Sequence, residues 1–270
     1  MTHARATMTA VVVALLATLT LSGCASEPQG GNVDPDLVDS TDVPEVGACR
    51  VLTPADAEAH ANATRTVDCK QRHTAETFAA AELPEKFDDV DYDDEEVGAF
   101  AYQTCSKKFA SFIGADDSVV LRTIVSWVWF RPSENAWGDG ARWYRCDVIG
   151  GTAASTDYRP LPPTAKGMLL GRPDDHWLEC ASGPTVGQGE KVPCSQRHDW
   201  RAATTIKLGE PGDKYPGDDV VVSRTRAFCA TSIKAWLNYP AQFEYAYTSF
   251  HKAEWEAGNR RSVCWAKTRD

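Results

Sequence analysis

The chain lacks the features that mark several common classes of protein. It has no surplus of positive charge, because 28 Lys and Arg stand against 38 Asp and Glu and the net charge is −10. Nucleic acids and anionic lipid surfaces are therefore poor partners. The sequence also has no Gly-x-Ser-x-Gly elbow, no phosphate-binding loop and no His-Glu-x-x-His zinc motif. These absences favour a protein that binds over one that catalyses, and no cofactor is expected.

Long apolar runs are missing after the first two dozen residues, and the run at the start is short. Arg5 precedes an almost uncharged stretch from Met8 to Leu21. Its roughly 14 residues would span about 21 Å as a helix, less than the ~30 Å hydrocarbon core of a bilayer. The pattern predicts a cleaved secretory signal over residues 1–23 rather than a membrane-spanning helix.

A cysteine follows that signal directly. Leu21-Ser22-Gly23-Cys24 resembles the bacterial lipobox, in which the cysteine receives lipid and becomes the first residue of the mature protein. The alternative is an ordinary signal whose cysteine is incidental. Since two or more acyl chains hold a protein stably at a membrane, we expect a lipid-anchored protein on the extracytoplasmic face of the cell membrane. A flexible acidic tether is predicted over residues 24–43.

The other eight cysteines form two sets of four with similar surroundings. Val-x-Cys-x-Gln-Arg-His surrounds the second cysteine of each set, and Trp-x-x-Gly-x-Arg-x-x-x-Cys ends at the fourth. Repetition at an offset of about 118 to 131 residues indicates one duplicated module. In an exported chain these cysteines are expected to form disulfides. The two sets are Cys49, Cys69, Cys105 and Cys146, then Cys180, Cys194, Cys229 and Cys264.

A stretch rich in Gly and Pro separates the two copies. It predicts a first module over residues 44–150, a linker over 151–173 and a second module over 174–270. In each module, strand candidates flank the first two cysteines and follow Gln-Arg-His, a helix turns the third cysteine inward, and two strands close the module. The first closing strand of module one is predicted at 119–130. The predicted fold class is α+β: two tandem similar modules, each a small antiparallel sheet with one packed helix, stapled by disulfides.

The pairing of the cysteines is open, because four per module allow three connectivities. We favour first-to-second and third-to-fourth pairing, since an inward-facing helix cysteine needs a partner on the sheet and a closing strand supplies one. The favoured bridges are Cys49–Cys69, Cys105–Cys146, Cys180–Cys194 and Cys229–Cys264.

The repeated Gln-Arg-His segments are the candidate binding face. Two other interpretations are open: residues that hydrogen-bond and pack near a turn, and a zinc or copper site shared with the neighbouring cysteine. Each module has one close ligand pair where a structural zinc site has two, and a disulfide cysteine has no thiolate to offer. No metal site is therefore predicted. The face comprises Gln71, Arg72, His73, Gln196, Arg197 and His198.

Two further patterns favour structural interpretations. The acidic run at 88–96 fails the EF-hand test, because a loop starting at Asp89 would have Asp94 at the glycine position and Phe100 at the glutamate position. Several tryptophans could form a sugar-stacking platform, but core packing explains them better. In Trp-x-x-Gly-x-Arg we expect a hairpin turn whose tryptophan covers the disulfide. The tryptophans are Trp127, Trp129, Trp137, Trp143, Trp255 and Trp265.

Four short frames accompany the order of the cysteines: Val46-Gly47-Ala48-Cys49, Val192-Pro193-Cys194-x-x-x-His198-Asp199, Tyr215-Pro216-Gly217-Asp218, and Trp255-x-x-Gly258-x-Arg260-x-x-x-Cys264. In these frames and in their cysteine order, both modules resemble the septum formation domain of actinobacterial envelope proteins. The resemblance implies a secreted or membrane-anchored domain connected with cell division, and it implies no defined catalysis.

The favoured hypothesis is therefore a lipoprotein that binds envelope or division proteins. The alternative is an envelope enzyme or ligand-binding protein that acts on cell-wall material in a cleft between the modules. A third possibility, metal storage, would require free thiols.

Overall fold

The computed structural model describes residues 32–268, and within them two antiparallel five-stranded sheets repeat one topology. The first sheet has the order β2-β1-β3-β5-β4 and the second β7-β6-β8-β10-β9. The strands are β1 Cys49–Arg50, β2 Thr66–Val67, β3 Ala75–Glu82, β4 Ser126–Phe130, β5 Trp143–Ile149, β6 Glu179–Ser182, β7 Glu190–Pro193, β8 Trp200–Lys207, β9 Tyr245–Thr248 and β10 Arg261–Lys267. The predicted α+β class with two tandem modules is confirmed.

One long helix packs on each sheet, and short helices occupy the connections. The helices are α1 Pro35–Val38, α2 Pro54–Glu58, α3 Glu95–Ile113, α4 Asp117–Val120, α5 Glu134–Gly138, α6 Asp218–Trp236 and α7 Lys252–Glu256, with a 3-10 turn at Glu85–Phe87. No helix of the described residues is long and apolar enough to cross a membrane.

The long helices bury residues spaced four apart, as an amphipathic helix on a sheet requires. Acidic residues fill the first turn of both, where they interact favourably with the helix dipole. At the start of α3 the Asp94 carboxylate accepts a hydrogen bond from the Glu96 backbone at 2.7 Å. The buried faces comprise Val97, Ala101, Cys105, Phe109 and Ile113 on α3, and Val221, Thr225, Cys229 and Ile233 on α6.

The duplication extends to an irregularity in the sheets. In the first sheet the pairing of β3 with β5 shifts so that Phe78 has no partner, next to the Ala79–Cys146 pair. In the second sheet the pairing of β8 with β10 shifts at Ala203, next to the Thr204–Cys264 pair. The same bulge therefore lies beside the same cysteine in both copies, as expected for descent from one module.

The strand predicted at 119–130 is wrong in its first part. Asp116 accepts a hydrogen bond from the Val119 backbone at 2.8 Å and caps α4, so Val119 and Val120 lie in a helical turn. A capping carboxylate here outweighs the β preference of two valines. Strand β4 begins only at Ser126.

Both segments predicted as connections are packed against the first module. Residues 32–43 were predicted to be a tether, but Val33 bridges to Thr64 and the Ser133 hydroxyl donates to Asp39 at 2.6 Å. In the predicted linker 151–173, Leu169 is buried in the first core, and the Ala165 backbone donates to Glu76 at 2.6 Å. The amino-acid composition predicted flexible connections, but a few apolar residues and backbone hydrogen bonds suffice to hold a Pro-rich segment against the module. Residues 24–31 of the predicted tether lie outside the described residues, as do the predicted signal and Cys24.

A short backbone pairing joins the two modules. Ile124 donates to the Trp177 carbonyl at 3.1 Å, and Glu179 donates to the Arg122 carbonyl at 2.8 Å. The Arg122 guanidinium also donates to the Ala203 carbonyl at 3.1 Å. Since Trp177 packs against the first core and Leu121 against one of the second module, the modules form one compact unit.

Candidate functional site

All eight cysteines of the two sets are joined in disulfides. The bridges are Cys49–Cys69, Cys105–Cys146, Cys180–Cys194 and Cys229–Cys264, with Cα–Cα distances of 5.3, 5.6, 4.9 and 5.2 Å. This is the pairing favoured from the sequence. In each module one bridge joins the first strand to the turn after the second, and the other joins the long helix to the closing strand. The sulfurs are therefore structural and offer no thiolate for catalysis or metal binding.

The two repeated histidines are buried in local turns. His73 Nδ1 donates to the Gln71 carbonyl at 2.9 Å, and His198 Nδ1 donates to the Gln196 carbonyl at 2.7 Å. The rings are 0% and 3% exposed. The predicted binding face is therefore wrong in its histidines, which face inward because their nitrogens satisfy turn carbonyls. The exposed Gln71, Arg72, Gln196 and Arg197 remain a predicted face.

The Trp-x-x-Gly-x-Arg frames form a repeated clamp. The tryptophan is the penultimate residue of a short helix, α5 or α7, rather than part of the hairpin turn expected from the sequence. Gly140 and Gly258 have φ of 96° and 102°, which favour glycine. The guanidinium of Arg142 lies 4.1 Å from the centre of the Trp137 ring and donates to the Trp137 carbonyl at 2.7 Å. Arg260 makes the same two contacts with Trp255.

Only one of these tryptophans shares a core with the inner disulfide. Trp137 lies in the same cluster as Cys105 and Cys146, whereas Trp255 packs with Val221 and Phe250, in a cluster separate from that of Cys229 and Cys264. The prediction that the tryptophan covers the disulfide is therefore wrong for the second module, where Tyr215 and Phe250 draw the indole to the helix start.

A buried charged network lies on the first sheet and was missed by sequence reasoning. Arg145 Nη2 lies 3.0 Å from Asp147 Oδ2, and Arg50 reaches the same carboxylate through the Thr77 hydroxyl, with both hydrogen bonds at 2.7 Å. Burial lowers the pKa of Arg145 to about 10, although Asp147 opposes the shift. The signal was present in the comparison of the copies, because the positions beside Cys264 that correspond to Arg145 and Asp147 hold Val263 and Trp265.

An open groove runs along the edge of the first sheet. It is formed by the end of α2 and the two residues after it (57–60), Tyr102 and residues 126–129 of β4, and it encloses about 420 Å³; we call it the edge groove. The Tyr102 and Trp127 ring centres are 5.2 Å apart, and Tyr102 is 41% exposed. The described sheet ends at β4, so one row of backbone N–H and C=O groups on this strand has no strand partner.

A second concavity, also of about 420 Å³, lies between the modules. It is formed by the loop 150–159, residues 189–193 around β7 and Ile124; we call it the inter-module cavity. Beside it, Lys191 Nζ lies 3.5 Å from Glu179 Oε1 and 3.8 Å from the centre of the Trp265 ring. Burial raises the pKa of Glu179, and Lys191 only partly offsets this. Within residues 32–268 no group of three or more His, Cys, Asp or Glu side chains is arranged to hold a metal ion.

Comparison with known proteins identifies the chain through one family model. The model described as "Septum formation" matches twice, over residues 22–130 and 122–264. Searches of curated proteins and of solved structures find no match. The two matched ranges together include all four disulfides, the clamps described above and both sheets except the last three residues of β10. The chain belongs to the septum formation family, of which it carries two tandem domains.

Proposed function

We propose that this protein is a lipid-anchored extracytoplasmic lipoprotein that takes part in septum formation by binding a partner protein in the edge groove. The occupant is an extended, basic segment of an envelope or division protein, added as a further strand beside β4. The observation that carries the proposal is the open edge of β4, with an aromatic wall on one side and a loop on the other.

Binding fits this molecule better than catalysis because the reactive side chains of the repeated motifs are used in the scaffold. The cysteines of both sets form disulfides, and both repeated histidines bond to turn carbonyls. In contrast, the edge groove presents unpaired backbone groups and aromatic side chains to solvent. Strand addition uses these two elements: the backbone supplies affinity and the side-chain pockets supply specificity.

The ends of the groove define how long an added strand can be. At one end Arg131 donates its backbone N–H to the His60 carbonyl at 3.0 Å, which closes the edge. Toward the other end, residues 122–124 already pair with residues 177–179 of the second module. The open part is therefore β4 itself, whose five residues span roughly 16 Å. A short extended segment fits this length.

Charge selects a basic occupant. Glu58 lines the groove, and Glu95 and Glu96 lie in the first turn of α3, the helix that carries Tyr102. The whole chain has a net charge of −10. The faces of Tyr102 and Trp127 would also attract Lys or Arg side chains. A basic partner is therefore expected to associate faster and to bind more tightly than an acidic one.

Crosslinking in cells tests the edge groove. We expect a photo-reactive phenylalanine analogue at Tyr102 to crosslink to a protein of the division site, because this position forms the aromatic wall. The matched control is Tyr239 of the second module, which is 69% exposed and lies far outside the groove-lining set. Equal crosslinking from both positions, or none from Tyr102, would contradict binding of a partner in the edge groove.

The anchor is tested by a substitution at the proposed lipidation site. Disulfides support an oxidising, extracytoplasmic compartment, and the lipobox-like sequence before Cys24 supports lipid attachment. We expect Cys24→Ala to move the protein from the membrane fraction to the soluble fraction, whereas Ser22→Ala, which keeps a small residue, should leave it at the membrane. Fractionation and immunoblotting read the result. Membrane retention of the Cys24→Ala variant would contradict a lipid anchor.

A further inference from the structure

The inter-module cavity has the dimensions and the preorganised wall of a ligand site. Its volume of about 420 Å³ lies within the range of small-molecule pockets, roughly 300 to 1,000 Å³. It shares no lining residue with the edge groove, so the inference below does not rest on the function proposed above. Both modules contribute residues to its wall. Hydrogen bonds within the protein hold this wall in place without a ligand.

The loop 150–159 that forms one wall is held by its own hydrogen bonds. Gly150 donates to the Thr74 carbonyl at 3.0 Å and accepts from the Arg159 backbone at 2.8 Å. Within the loop, Thr152 donates to the Ser155 hydroxyl at 2.9 Å. A Cβ at Gly150 would lie 2.1 Å from the Arg159 carbonyl oxygen, so only glycine allows this close return of the chain. The wall is therefore formed before any ligand arrives.

Arg159 in this wall has an unused guanidinium. Among the arginines of residues 32–268 that are at least partly buried, it is the one whose side chain makes no hydrogen bond, ion pair or ring contact. Each of the others has at least one hydrogen-bond acceptor. The guanidinium of this half-buried arginine lines the cavity without an internal partner, so it is suited to a carboxylate from outside, which it can bind through two parallel hydrogen bonds.

The remaining charges of the cavity define the other half of the ligand. Lys191 is already occupied by Glu179 and the Trp265 ring. Asp157 and Glu190 line the cavity and form no ion pair within the described residues, although Asp157 Oδ1 accepts a hydrogen bond from the Tyr158 backbone at 2.8 Å. The site thus offers one unpaired cation and two carboxylates without a cationic partner. A phosphate dianion would be repelled by those carboxylates, whereas a ligand with one carboxylate and one ammonium group matches both signs.

We infer that the inter-module cavity binds a short zwitterionic peptide. Its C-terminal carboxylate pairs with Arg159, and its amino group is received by Glu190 and Asp157. Thr152, Ser155 and Thr156 line the cavity and supply hydroxyl groups for the peptide amides. The volume admits a peptide of a few residues and excludes a folded partner.

The test is a binding titration of the purified protein with trialanine, followed by NMR. We expect saturable binding that weakens at least tenfold in Arg159→Gln, because the amide cannot replace the two charge-assisted hydrogen bonds that a guanidinium makes to a carboxylate. N-acetyl-trialanine amide, which lacks both end charges, should bind at least tenfold more weakly than trialanine. Arg159→Gln is expected to fold normally because the guanidinium makes no internal contact, and thermal unfolding verifies this. Arg224→Gln, an exposed arginine on α6, is the matched control and should change nothing.

A second variant and a second probe make each outcome decisive. Glu190→Gln should weaken trialanine while leaving N-acetyl-trialanine, which has no ammonium group, unaffected. Inorganic phosphate should bind more weakly than trialanine. Absence of saturable binding, equal binding of the blocked peptide, unchanged affinity in Arg159→Gln or tighter binding of phosphate would each overturn the inference.

Discussion

Replacing Cys105 and Cys146 together by alanine is expected to lower the free energy of unfolding by about 4 kcal/mol in the chain-entropy model. The bridge closes a loop with a sequence separation of 41, the longest of the four. It ties α3 to β5, and both sulfurs are fully buried within the first core. Denaturant unfolding of the double variant measures the loss, which is a large share of the ~5–15 kcal/mol stability of a typical protein.

The other bridge of the same module is the matched control. Cys49–Cys69 closes a loop with a separation of 20, for which the same model gives about 3.3 kcal/mol. Cys49 is fully buried, but Cys69 is only partly buried, in the turn after the two-residue strand β2, so loss of this bridge removes less core packing than loss of the inner one. The alanine pair at Cys49 and Cys69 should therefore be the milder change. If the alanine pair at Cys49 and Cys69 lowered the free energy of unfolding as much as the pair at Cys105 and Cys146, burial and loop length would not determine how much each bridge stabilises the protein.

Replacing Asp147 by alanine is expected to cost about 3–5 kcal/mol, because it leaves buried positive charge without its counterion. Arg145 loses an ion pair at 3.0 Å, and the Thr77 hydroxyl, which accepts from Arg50, loses its own acceptor. Asp147 itself is fully buried, so water cannot replace the missing carboxylate without opening the sheet. Urea unfolding at neutral pH measures the effect.

A double replacement separates lost charge balance from lost packing. Arg145→Met combined with Asp147→Leu removes one charge of each sign, so the net charge of the buried cluster returns to that of the natural protein. We expect the double variant to be more stable than Asp147→Ala alone, since buried ion pairs can be exchanged for apolar groups at little cost. A double variant less stable than Asp147→Ala would show that the hydrogen bonds of the network, and not its charge balance, provide the stabilisation.

The two copies solve the same packing problem in different ways. Beside the inner disulfide the first sheet buries Arg145 and Asp147, whereas the second buries Val263 and Trp265. The apolar version packs Trp265 with Trp200 and Ala181. The charged version is fixed by the Arg145 hydrogen bonds to Asn62 and so attaches the segment before β2 to the sheet. The charged network therefore ties this segment to the sheet through hydrogen bonds that apolar side chains cannot make.

Local patterns in the sequence predicted the parts of the fold that depend on local chemistry. The 3.6-residue period of apolar residues around the third cysteine of each set predicted α3 and α6, and the order of the cysteines indicated which strand each helix faces. The α4 turn was missed because one capping side chain, Asp116, competes with β-branched residues at close quarters. The α+β class and the duplication were predicted from patterns present in both modules, so an error in one short element did not affect them.

A cleft between the modules was one alternative from the sequence, but the residues that form the candidate sites could not be predicted, because they are brought together by long-range contacts. The edge groove requires residues 57–60 to lie beside β4, and the inter-module cavity requires the pairing of residues 122–124 with 177–179. Neither contact leaves a periodic signal. The histidines of the Gln-Arg-His segments were assigned to an exposed face because sequence shows their repetition but not the inward turn that Gln71 and Gln196 carbonyls impose.

The proposed role of the eight cysteines is to hold a duplicated scaffold together, and the proposals for both sites depend on that scaffold. Peptide mapping of the native protein without reduction, read by mass spectrometry, tests this most directly. It should recover four linked peptide pairs, Cys49 with Cys69, Cys105 with Cys146, Cys180 with Cys194, and Cys229 with Cys264, and no free thiol among them. Free thiols at these positions, or bridges that cross between the modules, would contradict the scaffold and leave the sulfurs available for chemistry.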